Sequence, residues 1–130
     1  MPIPTPEPGL VISYVYVWDH ESQGGQEEGR KDRPCVIVLA VERLPDGETL
    51  VTVLPTTHRP PRDASAAVEV PRAIKQRLGL DDDRSWIVVS EGDQFVWPGY
   101  ELRKVRGTDR YDCGYLPPRF FKDLLAAFSA

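Results

Sequence analysis

The sequence predicts a mainly β fold with short helices, in which a small, strongly bent antiparallel sheet or barrel is followed by a C-terminal helix. Three observations lead to this prediction. Short runs rich in β-branched and aromatic residues are separated by Gly and Pro along most of the chain. Two of these runs flank Asp46-Gly47, a pair that tolerates the positive φ of a tight turn. After Pro117-Pro118, apolar residues recur at helical spacing and predict the closing helix: Phe120, Phe121, Leu124, Leu125 and Phe128.

The length and composition are those of one globular domain. The chain has 130 residues, of which 41% are hydrophobic and 28% are charged, so it is long enough to bury a core. Prolines at alternate positions in residues 1–8 predict a flexible, extended arm, which leaves 9–130 as the single domain. No apolar run approaches the ~18 residues of a membrane span, and the N-terminus lacks the pattern of a secretory signal. We therefore expect a cytoplasmic protein with no membrane partner.

A β-hairpin over 35–41 and 49–58 is the element that organises the predicted site. An antiparallel hairpin places the outer ends of its two strands side by side. Those ends carry cations on the first strand and polar side chains on the second: Arg30, Lys31 and Arg33, then Thr56, Thr57 and His58. Cations and hydroxyls that are distant in sequence are therefore expected to converge.

The other predicted elements are shorter. The first strand is predicted over Leu10–Trp18, and the polar stretch 19–29, which contains Gly24-Gly25, is predicted to be a mobile loop. The remaining predictions follow in order: a loop at 59–63, a strand at 68–70, a helix of two turns at 72–78, a strand at 85–90, a polar break at 91–94, a bent or edge segment at 95–99, and weaker strands at 101–105 and 111–116.

The charge distribution restricts the classes of partner. A formal net charge of -4 and a pI near 5.2 argue against a protein that coats nucleic acid through bulk charge. The cations are nevertheless clustered, which suits a groove for a short single strand. Cys35 and Cys113 lie far apart in apolar surroundings and are expected to be buried hydrophobes. Two histidines without paired spacing predict no metal site, and no motif predicts a cofactor.

Arg33 and the segment that follows the second hairpin strand are the first candidate site residues. A guanidinium presents a fixed fork of donors to phosphate oxygens, although a solvated loop charge is the alternative. A threonine hydroxyl beside Arg33 could bind a phosphate oxygen, and His58 could exchange protons near neutral pH. The alternative for these residues is ordinary turn chemistry.

Glu91, Asp93 and Gln94 form a second candidate group, directly after a strand that reads as buried. Carboxylates at a strand end next to a cationic site could act as general bases, and a solvated loop is the alternative. The aromatic residues nearby read more readily as core or subunit interface than as a platform for stacking bases: Trp18, Phe95, Trp97 and Tyr100.

These residues together resemble the PemK/MazF (Kid-like) toxins of bacterial toxin-antitoxin systems. The resemblance is carried by the opening strand from Gly9, by Lys31-Asp-Arg-Pro34 before an apolar strand, and by Pro55-Thr-Thr-His58 at the end of the next one. The segment Ser90–Gly99 looks like the PemK-like branch. The match covers most of the chain from Gly9 onward.

The resemblance implies a small SH3-like (CcdB/PemK/MazF-type) barrel that forms a homodimer. It also implies a metal-independent endoribonuclease that a cognate antitoxin neutralises. Carried over residue by residue, Arg33 and Thr57 would contact the scissile phosphate, and Asp93 would be the general base, with Glu91 or His58 as alternatives. The residues expected to bind the RNA around them are Arg30, Lys31, Thr56, Gln94 and Arg59. Two positions depart from the pattern of some members: Glu91 stands where they have an arginine, and Glu27 where they have a histidine.

The leading hypothesis is therefore a toxin that cleaves single-stranded RNA by attack of a 2′-hydroxyl on the adjacent phosphate. The departures at Glu91 and Glu27, together with the acidic charge, motivate an alternative from another class. In that alternative the same fold is a non-catalytic module that binds protein or RNA. A third hypothesis is a gyrase-directed, CcdB-like toxin. It ranks last because Arg33 and Thr57 match the ribonuclease branch.

Overall fold

A computed structural model of the chain describes residues 3–16, 32–43 and 45–129. The described residues form eight strands, two α-helices and one short 3₁₀ turn at Ala64–Ala66. The strands are β1 (Leu10–Val15), β2 (Asp32–Arg43), β3 (Glu48–Thr57), β4 (Ala67–Glu69), β5 (Trp86–Val88), β6 (Asp93–Val96), β7 (Leu102–Arg103) and β8 (Asp112–Tyr115). The helices are α1 (Arg72–Arg77) and α2 (Pro118–Ser129).

The strands form one antiparallel sheet in the order β4-β5-β3-β2-β1-β7. Two further strands pair outside this path, β6 with β3 and β8 with β1. The outer edge of β3 is therefore shared, since β6 pairs with its first half and β5 with its last two residues. The prediction of a mainly β fold with a C-terminal helix is confirmed. None of the strand pairs among the described residues closes the sheet into a complete barrel.

The hairpin of β2 and β3 is longer than predicted and has a defined register. Cys35 pairs with Pro55 and Arg43 with Glu48, with an irregularity between Ile37 and Leu39. Gly47 in the connecting turn has a φ of +72°, a conformation that glycine adopts without the steric penalty of a Cβ. The sequence-predicted turn at Asp46-Gly47 is therefore present.

Each face of the sheet packs its own hydrophobic core. On one face the buried cluster consists of Leu10, Ile12, Tyr14, Tyr16, Cys35, Ile37, Val51, Val53 and Leu102. On the opposite face it includes Val11, Val36, Val38, Leu54, Ile87 and, from α2, Leu124. We call these core 1 and core 2. The separation follows from strand geometry, because successive side chains point to opposite faces.

The sheet is strongly curved around core 1. In the pairing order β1 and β6 are separated by β2 and β3, yet the rings of Tyr14 on β1 and Phe95 on β6 stack with centroids 4.8 Å apart. Two flat strands at that separation would lie roughly 14 Å apart, at about 4.8 Å per pairing step. The sheet must therefore bend until these rings meet across its concave side.

Residues of the predicted N-terminal arm contact the domain at two points. The indole Nε1 of Trp97 donates a hydrogen bond to the carbonyl oxygen of Pro4 over 3.1 Å. The Tyr115 hydroxyl donates to the Glu7 carboxylate. The predicted arm therefore contacts the domain through Pro4 and Glu7. Its flexibility stays a prediction.

One sequence-based prediction about the elements is wrong in its extent. The polar stretch 91–94 is predicted to break the strand before it, and β5 does end at Val88, but Asp93 and Gln94 already begin β6. They extend because the outer edge of β3 offers them partners, with Asp93 opposite Val53 and Gln94 opposite Thr52. Pairing along an open sheet edge thus overrides the low strand propensity of these polar residues. Elsewhere β1 ends at Val15, and both Trp18 and the predicted loop 19–29 lie outside the described residues.

Over the ranges that the structure describes, no helix is long and apolar enough to cross a membrane.

Candidate functional site

Three of the predicted catalytic residues share one face of the sheet. Arg33 has the same parity in β2 as Cys35 and Ile37, which belong to core 1. Thr57 has the same parity in β3 as Val53, and Asp93 in β6 pairs directly with Val53. Because residues i, i+2 and i+4 of a strand point to one side, these three side chains lie on the core 1 side of the sheet. They occupy its rim, where core 1 meets solvent.

Arg33 lies against the end of β3. Its Nη1 donates to the carbonyl oxygen of Thr56 over 3.3 Å. Extending the register from Cys35 opposite Pro55 by two residues places Arg33 opposite Thr57. The pairing ends at Cys35 and Pro55, but the hydrogen bond of Arg33 to the Thr56 carbonyl keeps the two chains together beyond it, so Arg33 and Thr57 lie near each other at the open end of the hairpin.

Thr57 also lines an open groove of about 530 Å³, which we call the Thr57 groove. The Oγ1 of Thr57 accepts a hydrogen bond from the backbone N–H of Arg59 over 3.1 Å, and this bond turns the chain away from the sheet. The full lining consists of Thr57, Arg59, Pro60, Pro61, Arg62, Asp63, Ala66, Ala67, Val88, Ser90 and Glu91. The groove therefore combines the predicted residues Thr57, Arg59 and Glu91 with an apolar floor.

The charges around the Thr57 groove are mixed. Arg59 and Arg62 supply two cations, while Glu91 and Asp63 supply carboxylates. Asp63 is engaged in local structure, because its Oδ1 accepts from the backbone N–H and the hydroxyl of Ser65 at 2.9 and 2.7 Å. Those hydrogen bonds lower the pKa of Asp63. The groove can thus attract an anionic ligand through its arginines and holds one further carboxylate, that of Glu91.

Asp93 stands at the rim of core 1, with its carboxylate exposed. Its Oδ2 accepts a hydrogen bond from the hydroxyl of buried Tyr14 over 3.1 Å. Burial raises the pKa of the Cys35 thiol well above its ordinary value, while the charge of Arg33 lowers it and that of Asp93 raises it. Arg33 and Asp93 therefore lie within electrostatic range of the same buried sulfur, on the same side of the sheet.

Thr56 and Gln94, which were predicted to bind RNA, point to the opposite face. Thr56 pairs with Ile87 of core 2, and its Oγ1 donates to the Pro34 carbonyl over 2.8 Å. Gln94 donates through Nε2 to Thr52 Oγ1 over 3.3 Å. Successive side chains of a strand point to opposite faces. Thr57 and Asp93 therefore lie on the core 1 side, whereas their neighbours Thr56 and Gln94 lie on the other side. Arg30 and Lys31 lie outside the described residues.

His58 belongs to a separate network around a buried lysine. Its Nε2 lies 2.9 Å from Asp81 Oδ2. The other Asp81 oxygen accepts from Lys75 Nζ over 2.5 Å, and Lys75 also donates to the Asp83 carbonyl and, over 2.7 Å, to Ser85 Oγ. Only 4% of Lys75 is exposed, and its three acceptors match the three donors of an ammonium group. The network ties α1 and the loop after it to the end of β3.

The ligand atoms of His58, Asp81 and Asp83 lie within 4.8 Å of one another, a separation that could suit a metal ion. All three residues are exposed. The Lys75 ammonium already donates to the Asp81 carboxylate and to the Asp83 main chain. A positive charge from the protein itself therefore compensates the acid in this cluster.

Sequence reasoning missed Tyr14, Arg62 and Lys75. Tyr14 read as one of several strand aromatics, and Lys75 as one of the cations of the predicted helix at 72–78. Only for Lys75 did the sequence contain a signal of a charge partner, because three acidic residues at 81–83 follow its short helix. Only the fold shows that these charges meet.

No protein-family model matches the chain, and no curated protein is significantly similar to it. The functional interpretation therefore depends on the residue pattern and on the geometry of the site.

Replacing Lys75 by Met should destabilise the fold. Methionine retains much of the side-chain length but removes the hydrogen bonds that Lys75 donates to Ser85 and Asp81, which costs about 1–3 kcal/mol. Chemical denaturation measures the free energy of unfolding. The matched control is Arg77→Met on the same helix, where the side chain is exposed and the change should stay within about 0.5 kcal/mol. Equal losses for both variants would contradict the structural role of Lys75.

The contribution of Asp81 to stability should depend on pH. Burial alone would raise the pKa of Asp81, but the Lys75 hydrogen bond and the charges of His58 and Lys75 outweigh it and lower the pKa. A carboxyl group with a lowered pKa in the folded state stabilises that state above its unfolded pKa. The contribution is lost as the pH falls through the folded value. We expect Asp81→Asn to be less stable than the wild type at neutral pH. The two proteins should converge in denaturant titrations as the pH falls well below the ordinary aspartate pKa of about 3.9, and a gap that is independent of pH would contradict the ion pair.

Proposed function

We propose that the protein is a PemK/MazF-like toxin, a metal-independent endoribonuclease that cleaves single-stranded RNA. The observation that carries the proposal is that Arg33, Thr57 and Asp93 share one face and one rim of the sheet, although 36 residues separate Thr57 from Asp93 in sequence. The Thr57 groove begins at the same threonine. A cation, a hydroxyl donor and an exposed carboxylate at one rim are the groups that phosphodiester cleavage by an internal nucleophile requires.

In the proposed reaction the ribose 2′-hydroxyl attacks the adjacent phosphorus. The new 2′-O–P bond forms as the P–O5′ bond breaks, which yields a 2′,3′-cyclic phosphate and a 5′-hydroxyl that takes its proton from water. Asp93 accepts the 2′ proton. Arg33 and Thr57 donate hydrogen bonds to the phosphoryl oxygens, where negative charge grows in the transition state. No cofactor takes part in these steps.

The proposed path of the RNA follows the Thr57 groove. Arg59 and Arg62 at the groove provide phosphate contacts that neutralise backbone charge locally. The apolar floor, which includes Val88 and the two alanines at 66 and 67, can accept the face of an unpaired base. A protein of net charge -4 would then bind RNA through this confined site and not through its whole surface. His58 is the least favoured candidate for the general base, because it contacts Asp81 in the separate network around Lys75.

The proposal also covers the partners that the resemblance implies. We propose that the chain acts in the cytoplasm as a homodimer and that a cognate antitoxin inhibits it by covering the groove. Light scattering of the purified protein should give twice the mass of the 14.6 kDa chain. A monomer at every concentration tested would contradict the homodimer. It would not bear on RNA cleavage, which the cleavage assay tests separately.

Incubation of the purified protein with a long single-stranded RNA in EDTA tests the activity. We expect discrete fragments that end in a cyclic phosphate and begin with a 5′-hydroxyl. Arg33→Ala should slow cleavage about 10²–10³-fold, because it removes one preorganised donor to the developing charge. The matched control is Arg43→Ala, which removes an exposed arginine from the far end of the same strand and should leave the rate unchanged.

Three outcomes would contradict the proposal. An intact RNA that stays bound to the protein would indicate the non-catalytic binding module of the same fold. Cleavage that is equally fast in Arg33→Ala and the wild type would show that Arg33 has no role in the chemistry. Inhibition of DNA supercoiling without RNA cleavage would instead favour the gyrase-directed hypothesis.

A further inference from the structure

The hydrogen bond between Tyr14 and Asp93 joins a buried side chain of core 1 to an exposed side chain of the site. The two residues are 79 positions apart, and the hydroxyl lies 3.1 Å from Asp93 Oδ2. Only 4% of Tyr14 is exposed, whereas Asp93 is exposed. The bond therefore runs from a fixed, buried donor to a carboxylate that solvent and substrate can reach.

The Tyr14 ring is held in place by the strand that carries its acceptor. It stacks on Phe95 with centroids 4.8 Å apart and an interplanar angle of 22°. Tyr16, which directly follows β1, packs against it with centroids 6.5 Å apart. Phe95 is two residues after Asp93 and points to the same face. The ring contacts Phe95 and the hydroxyl contacts Asp93, two positions of β6 on the same face, and these contacts together hold the rotamer of Tyr14 and the direction of its O–H.

The surroundings keep this hydroxyl a donor. Burial, followed by the negative charge and the hydrogen bond of Asp93, raises the pKa of Tyr14 above its ordinary value. Tyr14 therefore stays protonated throughout the range in which a carboxylate could act as a base. The hydrogen bond occupies Oδ2 of Asp93. The other oxygen, Oδ1, is then the one that accepts the proton of the substrate.

We propose that Tyr14 is a positioning residue that orients Asp93 as the general base of the site. This inference rests on the proposed function, in which Asp93 accepts the 2′ proton. A hydrogen bond to the charged form of a carboxylate favours that form. Loss of the donor should disturb the position of the Asp93 carboxylate.

Other ionisable groups also face the Asp93 carboxylate or the Tyr14 hydroxyl. A substitution of Tyr14 tests the hydrogen bond alone only if it leaves these groups unchanged. Arg33 and Cys35 approach from β2, where the charges of Arg33 and Asp93 both act on the buried Cys35 thiol. Glu101 acts on Tyr14 from beyond β6, and Glu91 precedes Asp93 in the same segment. Tyr14→Phe changes none of these groups, because it removes one oxygen atom and retains the stacked ring.

The test compares single-turnover cleavage of single-stranded RNA by the wild type and by Tyr14→Phe as a function of pH. The rate of the bound complex should fall about tenfold, the effect of one hydrogen bond of ordinary strength, while RNA affinity stays unchanged. The acidic limb of the pH–rate profile should differ between the two proteins, whereas a substitution that affects packing alone leaves the profile unchanged. Adding Tyr14→Phe to Asp93→Asn should cause no further loss, because the carboxylate that it positions is already absent.

Tyr111→Phe is the matched control. Tyr111 packs against the same core, so this variant also removes a tyrosine hydroxyl beside core 1, but not the hydroxyl that donates to Asp93. We expect its rate and pH profile to equal those of the wild type, with thermal unfolding confirming that both variants fold.

The possible outcomes separate the two claims. If the wild type cleaves and Tyr14→Phe has the same rate and profile, the positioning role is wrong and the proposed function stands. If both tyrosine variants lose activity equally with unchanged pH profiles, the hydroxyl matters only for packing and the role is again wrong. If the wild type leaves the RNA intact, the proposed function fails and the positioning role fails with it.

Discussion

The pairing of β2 with β3 is the constraint on which the rest of the structure depends. Its register, with Cys35 opposite Pro55, decides which side chains of both strands face core 1. It brings Arg33 next to the Thr56 carbonyl and leaves the outer edge of β3 open for β5 and β6. A shift of one residue would turn Thr57 toward core 2 and break the alignment with Asp93. Both the core and the candidate site therefore follow from one ladder of hydrogen bonds.

The parts of this fold that could be predicted are those encoded locally. The hairpin was predictable because its β-branched runs and its Asp-Gly turn lie within a few residues of each other. The amphipathic spacing of α2 was equally visible. Residues 93 and 94 were mispredicted because their strand state comes from the exposed edge of β3 and not from their own propensity. Sequence spacing alone could not predict that Thr56 and Gln94 face away from core 1. That prediction needs the strand register, which only the fold shows.

The contacts of the site were largely beyond sequence reasoning. That Tyr14 reaches Asp93 depends on the bending of four strands around core 1, and no local pattern encodes that curvature. The buried position of Lys75 depends likewise on how α1 and the loop that follows it fold back on the end of β3. Arg33 and Thr57 were predicted to approach each other because a hairpin brings its outer ends together. The roles assigned to them stay predictions that cleavage assays must decide.

The division of the β3 edge bears on how such a site could change over evolution. Pro55 is buried between the residues of β3 that pair with β6 and those that pair with β5. Having no N–H, it needs no partner at the position where one neighbour ends and the other begins. Segment 89–92, which carries Glu91, therefore connects two strands that are anchored independently. Substitutions or changes of length there could alter the acidic half of the site while the half formed by Arg33 and Thr57 keeps its framework.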